Sequence, residues 1–230
     1  MTEQIQQLFT SIAPKYDLLN TLLSFGQHKR WRNKGVSYLK NQKKVLDLCA
    51  GTLSMTMALL EINPSAEVTA VDFSQEMLDE GLRRHPTLKK GGRGGFSTVC
   101  ADFFKFDAQP SFFDGMMCAY GMRNLDDNQA ALRKIHQLLS PKGRLVILEF
   151  FRPDNWVMQL FHSTYAQFVI PPLGRLISRH PHAYEHLRDS VRGFYTIDEY
   201  CHLLQENGFE VKVVKRLTGG ISGLIVAEKK

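Results

Sequence analysis

At 230 residues the chain has room for one large domain, or for a domain with an appended subdomain. Hydrophobic residues at 43% and charged residues at 23% describe a globular protein with a full core and exclude a disordered one, and no apolar run approaches the roughly 20 residues that cross a bilayer. The net charge of +6 suits an anionic surface or an acidic ligand, but no nucleic acid is expected, because its densest stretch, Lys89-Lys90-Gly91-Gly92-Arg93, reads as a solvated turn.

The opening MTEQIQQLFT lacks a basic stretch followed by an apolar core, so neither a signal nor a transit peptide is expected. Residues 1–40 carry helical periodicity and no strand pattern. Ile5, Leu8, Phe9 and Ile12 share a face, and Leu18, Leu19, Leu22 and Leu23 continue the apolar content after Pro14. KKVLDLCAGT is a short apolar run ended by glycine, the pattern of a buried parallel strand. SMTMALLEI, residues 54–62, reads as a helix capped by Ser54 and followed by Pro64.

The alternation then repeats. AEVTAVDFS is strand and turn, QEMLDEGLRRH a helix, FSTVCADFF a strand, FFDGMMCAY a strand and DNQAALRKIHQLL a helix. GRLVILEF is a strand after a Pro141-Lys142-Gly143 turn. Residues 151–190 break the pattern with many aromatic and aliphatic residues around Pro171-Pro172. They read as an inserted helical segment, serving either as a lid over the carboxyl ends of the strands or as extra core. A helix near 196–207 precedes FEVKVVKR and GLIVAEKK, an antiparallel pair about Thr218-Gly219-Gly220.

The expected fold is therefore α/β and Rossmann-like: a mostly parallel seven-stranded sheet ending in an antiparallel hairpin, the class I methyltransferase architecture. It is read as one domain over residues 1–230, with an N-terminal helical cap and an inserted helical lid. Cys49, Cys100, Cys118 and Cys201 form no C-x-x-C pair, and three lie in apolar segments, so buried free thiols in a reducing cytoplasm are expected.

DLCAGTLSM, residues 47–55, is where a cofactor is expected. A dinucleotide fingerprint needs glycines that let pyrophosphate approach the backbone, and two of its three are missing after Gly51. Asp47, just before the loop, would also repel a phosphate. S-adenosylmethionine (SAM) reverses these demands, because it has no phosphate and carries a sulfonium and an ammonium. Asp72, ending EVTAVD, stands where an acid would hold the ribose hydroxyls. Asp102 is placed to bond the adenine amine, with Phe73 or Phe103 flanking the ring. Acids at strand ends also cap helices, but three at successive strand ends behind one glycine turn favour SAM.

Two long stretches carry a resemblance. FTSIAPKYDLLNTLLSFGQHKRWR, residues 9–32, and YGMRNLDDNQAALRKIHQLLSPKGRLVILEFFRP, residues 120–153, resemble the UbiE/MenG family of ubiquinone and menaquinone biosynthesis C-methyltransferases. AYEHLRDSVRGF and LLQENGFEVKVVKRLTGGISG extend the likeness over almost the whole chain. The resemblance implies methyl transfer from SAM to a ring carbon of a polyprenylated hydroquinone, by a soluble or membrane-peripheral enzyme. By position it implies cofactor contacts from Thr52, Asp72, Ala101 or Asp102, and Ala119, and it places Arg123 and Asn124 beside the reacting ring. Gly51-Thr52-Leu53-Ser54 departs from the family's G-T-G-D, so a non-catalytic quinone-binding or assembly protein is the alternative. Another amphipathic phenol as acceptor is a further one.

Ring methylation wants a group that stabilises a phenolate. Arg123 keeps its charge, so it stabilises or orients rather than deprotonates; the competing reading pairs it with Asp126 or Asp127. Tyr16 and Asp17 either close over the cofactor or serve packing and capping, and Tyr184 either reaches the substrate or lies on a surface helix. His180, His182 and His186 lack the further ligands of a metal site, and no metal is expected. The apolar stretch 156–177 with Arg175, Arg179 and Arg188 suits an anionic membrane surface on the inner face, a homodimer interface or a covered core.

Overall fold

The computed structural model describes residues 10, 13, 18, 20, 21, 24, 26–86, 95–154, 188–217, 220 and 222–230. Tyr16, Asp17, Tyr184, the 89–93 turn, the three histidines of 180–186 and most of the expected insertion lie outside the described residues.

Helix α1 (Gln27–Val36) precedes strand β1 (Lys44–Leu48), and α2 (Ser54–Ile62) leads to β2 (Glu67–Asp72). Helix α3 (Gln75–Arg84), β3 (Phe96–Cys100), β4 (Phe113–Ala119), α4 (Asn128–Leu138) and β5 (Leu139–Glu149) follow. Helix α5 (Ile197–Glu206) and the pair β6 (Phe209–Leu217) and β7 (Ser222–Lys229) close the chain. Seven strands among the described residues form one sheet in the order β3-β2-β1-β4-β5-β7-β6. The pairings from β3 to β5 are parallel, and β7 is antiparallel to both β5 and β6. The expected sheet and terminal hairpin are thus both present.

Side-chain alternation explains why both faces are covered. Leu46, Met116 and Ile147 face Leu132 and Ile135 of α4 and Tyr200 and Leu204 of α5. Their sequence neighbours Val45, Met117 and Val146 face the other way, onto Trp31 of α1 and Met55 and Leu59 of α2. The strand order reverses between β1 and β4, and such a switch point opens a crevice at the carboxyl ends of the strands.

Three local expectations are corrected. Ser54 does not cap α2; it is the first helical residue, and Leu53 occupies the cap position with no side-chain hydrogen bond. The Pro141-Lys142-Gly143 turn is absorbed as an irregularity of β5. The register jumps from Phe113↔Leu139 to Gly115↔Arg144 around Lys142 at φ 63°, since Pro141 has no N–H for the ladder. The four cysteines are free, but Cys100 is exposed and Cys49 and Cys201 are half-buried, leaving Cys118 as the buried one. β3 is an edge strand, so one side of it faces solvent.

Candidate functional site

The glycine turn is tied down by acids from two strands. Asp72, ending β2, accepts the Gly51 N–H through Oδ2 at 2.8 Å and the Ser74 N–H through Oδ1 at 2.9 Å. Gly51 has φ 52°, a conformation glycine adopts without strain. Asp47 of β1 turns its carboxylate onto the start of α2, where Oδ2 accepts the Thr56 N–H at 3.1 Å and the Thr56 hydroxyl at 2.6 Å. Asp47 therefore does for α2 what Leu53 cannot, satisfying an N–H of the first turn from outside the helix.

Leu53 sits at φ 61°, in the left-handed region, and is wholly buried against Ala50, Ala70 and Leu78. Its side chain lies in the core under α3, against Gly81. Thr52 is also buried, with Oγ1 3.4 Å from the Ser54 hydroxyl. Cys49 at φ 55° and Tyr120 at φ 59° are left-handed too, so three strained non-glycine residues flank the crevice between β1 and β4. Such strain gathers where backbone is shaped for a ligand.

The next strand ends complete the row. The Ala101 N–H donates to the Asp72 carbonyl at 2.9 Å, placing Ala101 beside the β2 end. Asp102 accepts the Phe104 N–H at 2.9 Å, and the half-buried Phe73, which follows Asp72, accepts from the Cys100 thiol through its carbonyl at 3.7 Å. Ala119 ends β4, and the Tyr120 ring after it stacks on Phe150 at 4.5 Å between centroids. Near the N-terminus, Thr10 donates to Glu76 at 3.0 Å and lies 3.4 Å from the Ser74 hydroxyl, so this residue reaches the β2–α3 turn.

Arg123 and Asn124 sit on a short helical turn, Met122–Asn124, after β4. Arg123 does not pair with Asp126 or Asp127: Asp127 caps α4 by accepting the Ala130 N–H, and the Arg123 guanidinium lies on Glu149 at the end of β5. Its Nη1 also donates to the Tyr120 carbonyl at 2.8 Å, and the Asn124 amide reaches the same carbonyl at 3.3 Å. Arg123 borders a cavity of about 670 Å³ shared with Leu125, Asp126 and Asn128 on one side and Gly193, Phe194 and Tyr195 on the other.

Burial dominates the electrostatics. It pushes the Asp47 carboxyl up to about 7, against the pull of its two bonds from Thr56. Asp72 is pushed up to about 6, again by burial and against its backbone N–H partners. Burial likewise raises Glu149, opposed by the Arg123 charge. Two carboxylates raised this far at one turn make a site that gains from a bound cation.

The fold thus brings Asp47, Gly51, Thr52, Asp72, Phe73, Ala101, Asp102 and Ala119 to the carboxyl ends of four neighbouring strands, with Arg123 and Asn124 beyond β4; Tyr16 and Tyr184 lie outside the described residues. Glu149 and Thr10 are the additions. A lone acid closing the apolar run LVILE was a signal for Glu149, since such a charge is buried only with a partner.

The chain is 34% identical over 226 residues to a demethylmenaquinone methyltransferase of Chlamydia muridarum, covering 98% of this chain and 96% of that one. It is 33% identical over 231 residues to the demethylmenaquinone methyltransferase of Staphylococcus epidermidis, covering 99% and 94%. A SAM-dependent methyltransferase from Aquifex aeolicus shares the fold at TM-score 0.63 and 15% identity, over 93% of this chain and 98% of that one. A family model described as the ubiE/COQ5 methyltransferase family matches residues 1–229. With its sheet order, its glycine turn and this match over nearly its full length, the chain belongs to the ubiE/COQ5 methyltransferase family.

Proposed function

We propose that this protein is a SAM-dependent C-methyltransferase acting on the ring of a polyprenylated hydroquinone, a demethylmenaquinol in the first instance. The full-length likeness to demethylmenaquinone methyltransferases supports the acceptor. The observation that carries the cofactor is the anionic turn. The Gly51 N–H is already engaged by Asp72, and Asp47 and Asp72 are raised by burial with no cation beside them among the described residues. That donor set fits a ribose-bearing cation and repels pyrophosphate.

SAM supplies an electrophilic methyl group on its sulfonium. Asp72 keeps lone pairs on both oxygens for the ribose hydroxyls, Asp102 takes the adenine amine and Phe73 flanks the ring. Gly51, Thr52, Ala101 and Ala119 line the path of the cofactor, and the Asp47 charge favours its positive end. Leu53 leaves that path clear, so its departure from the family's glycine does not favour a non-catalytic protein. Arg123 stabilises negative charge on the quinol oxygen, which raises electron density at the neighbouring ring carbon. Asn124 supports the same turn. A prenyl tail is drawn from a membrane, so the protein works there as a peripheral enzyme. No helix among the described residues is long and apolar enough to cross it.

The test is transfer of a deuterated methyl group from SAM to dithionite-reduced demethylmenaquinone, read by mass spectrometry as one methyl gained on the ring. Folded, SAM-binding protein that transfers nothing to the reduced quinol rules this function out.

A further inference from the structure

Glu149 ends β5 with its side chain wholly buried. A carboxylate there is costly unless charged and hydrogen-bonding partners surround it. It accepts the Phe150 N–H at 2.8 Å, the Arg123 N–H at 3.3 Å and the Arg123 guanidinium through Nη1. The same Nη1 donates to the Tyr120 carbonyl, so both of its hydrogens are engaged in holding the side chain in place. The Arg123 side chain is only 7% exposed, and its Nε hydrogen has no acceptor among the described residues. A guanidinium presents its donors as a rigid planar fork. Anchored by Nη1, this one holds a buried Nε donor without an acceptor where Arg123 lines the cavity.

Resting on the quinol-methylating function above, we infer that Glu149 is a positioning residue. It fixes the Arg123 fork for the quinol oxygen and, through its charge, sets the pH at which that oxygen ionises. Wholly buried, Glu149 does not reach the substrate and forms no bond with it. Its negative charge tempers the Arg123 cation, so the pair draws a proton off the quinol hydroxyl less strongly than Arg123 alone would. The other titratable groups nearby are Tyr120 on the same turn, Tyr195 across the cavity, Tyr200 of α5 and Cys118 of β4. Burial holds the Tyr200 hydroxyl well above its ordinary range, so it stays neutral. Asp126 and Asp127 border the cavity beyond Arg123.

Three variants test this in the full-length chain: Glu149→Gln, Glu149→Asp and Arg123→Met. Glu149→Gln removes the tempering charge, so the acid limb of the kcat–pH profile should move down by about one pH unit. Its plateau should fall roughly tenfold, because the fork is no longer held. Glu149→Asp keeps the charge and should leave the limb in place while lowering the plateau. In an Arg123→Met background, Glu149→Gln should change kcat by less than about twofold, since Glu149 acts through Arg123. A nitro-substituted naphthol, whose phenolate absorbs visibly, gives a readout without turnover. Its bound ionisation should fall at lowest pH in Glu149→Gln, next in the wild type, and highest in Arg123→Met.

An unmoved limb and unmoved naphthol ionisation in Glu149→Gln overturn the proposal, as do losses that multiply in the double variant. If the Gln variant fails to fold, a wild-type kcat for Glu149→Asp overturns it equally. Naphthol ionisation that follows the expected order in protein inactive on every quinol would instead refute the proposed acceptor and leave the role of Glu149 standing.

Discussion

Leu53 rests its side chain in the space left by Gly81. A Cβ at position 81 would lie 2.6 Å from the Leu53 Cγ and 2.8 Å from the Thr52 carbonyl carbon. Helix α3 can approach the glycine turn this closely because its facing residue has no side chain, and Leu53 fills the gap. The left-handed backbone at Leu53, φ 61°, costs about 1–2 kcal/mol for a residue with a Cβ. Its burial more than offsets that, since truncating a buried leucine costs about 2–5 kcal/mol.

Leu53→Gly should therefore lower the melting temperature despite relieving the backbone, and leave the SAM dissociation constant within about threefold of the wild type. Gly81→Ala should destabilise by about 1–3 kcal/mol through overpacking. Thermal unfolding and calorimetry read both. A tenfold gain in SAM affinity on Leu53→Gly would mean that the leucine obstructs the cofactor after all.

The acids around the turn make a pH-dependence with an unusual sign. Asp47 and Asp72 have folded values of about 7 and about 6, above the ordinary carboxylate value of 3.8. Their contribution to stability is fully present below the unfolded value and is lost as pH rises through the folded ones. Apoprotein should thus lose melting temperature between about pH 4 and 7 on their account, with no further loss above that. A bound cation favours the ionised forms, so SAM affinity should rise at least about tenfold from pH 5.5 to 8. Affinity that stays flat over that range would remove these two carboxyls from the cofactor site.

Much of this site was legible before the structure, and the reasons are physical. Parallel strands buried on both faces read as short apolar runs, and the chain marks their carboxyl ends with Gly51, Asp72 and Asp102. What stayed hidden depends on contacts between elements. Arg123 meets Glu149 because β4 and β5 are neighbours in the sheet, with the partners 26 residues apart, whereas Asp126 and Asp127 were nearer in sequence. Ser54 looked like a cap because serine favours that position, but Asp47 reaches across from β1 and takes the Thr56 N–H instead. The destination of Leu53 rests on Gly81, a pairing no local pattern announces.

Asp47→Asn separates the two duties of that residue. An amide oxygen can still accept both Thr56 donors, and removing a buried carboxylate abolishes its desolvation cost. At pH 8 the variant should melt no lower than the wild type while binding SAM about tenfold or more weakly, through the lost charge. Unchanged affinity by calorimetry would reduce Asp47 to the helix cap alone.

Tyr200 tests how far support for the Arg123 turn extends. Its buried hydroxyl donates to Asn128 Oδ1 at 2.9 Å, and the Asn128 amide donates to the Met122 carbonyl at 3.1 Å, one residue before Arg123. Tyr200→Phe keeps the ring packed against Phe151 and Phe194 but leaves the Asn128 oxygen without its donor. A buried acceptor stripped of its partner costs about 1–3 kcal/mol. In a chain of this length that is a fall in melting temperature of roughly 2–12 °C. Because the loosened turn carries Arg123 and not the acids of the glycine turn, kcat should fall several-fold with SAM affinity unchanged. An equal loss in both would place Tyr200 in general support of the sheet, and an unaltered melting temperature would show that water replaces its hydroxyl.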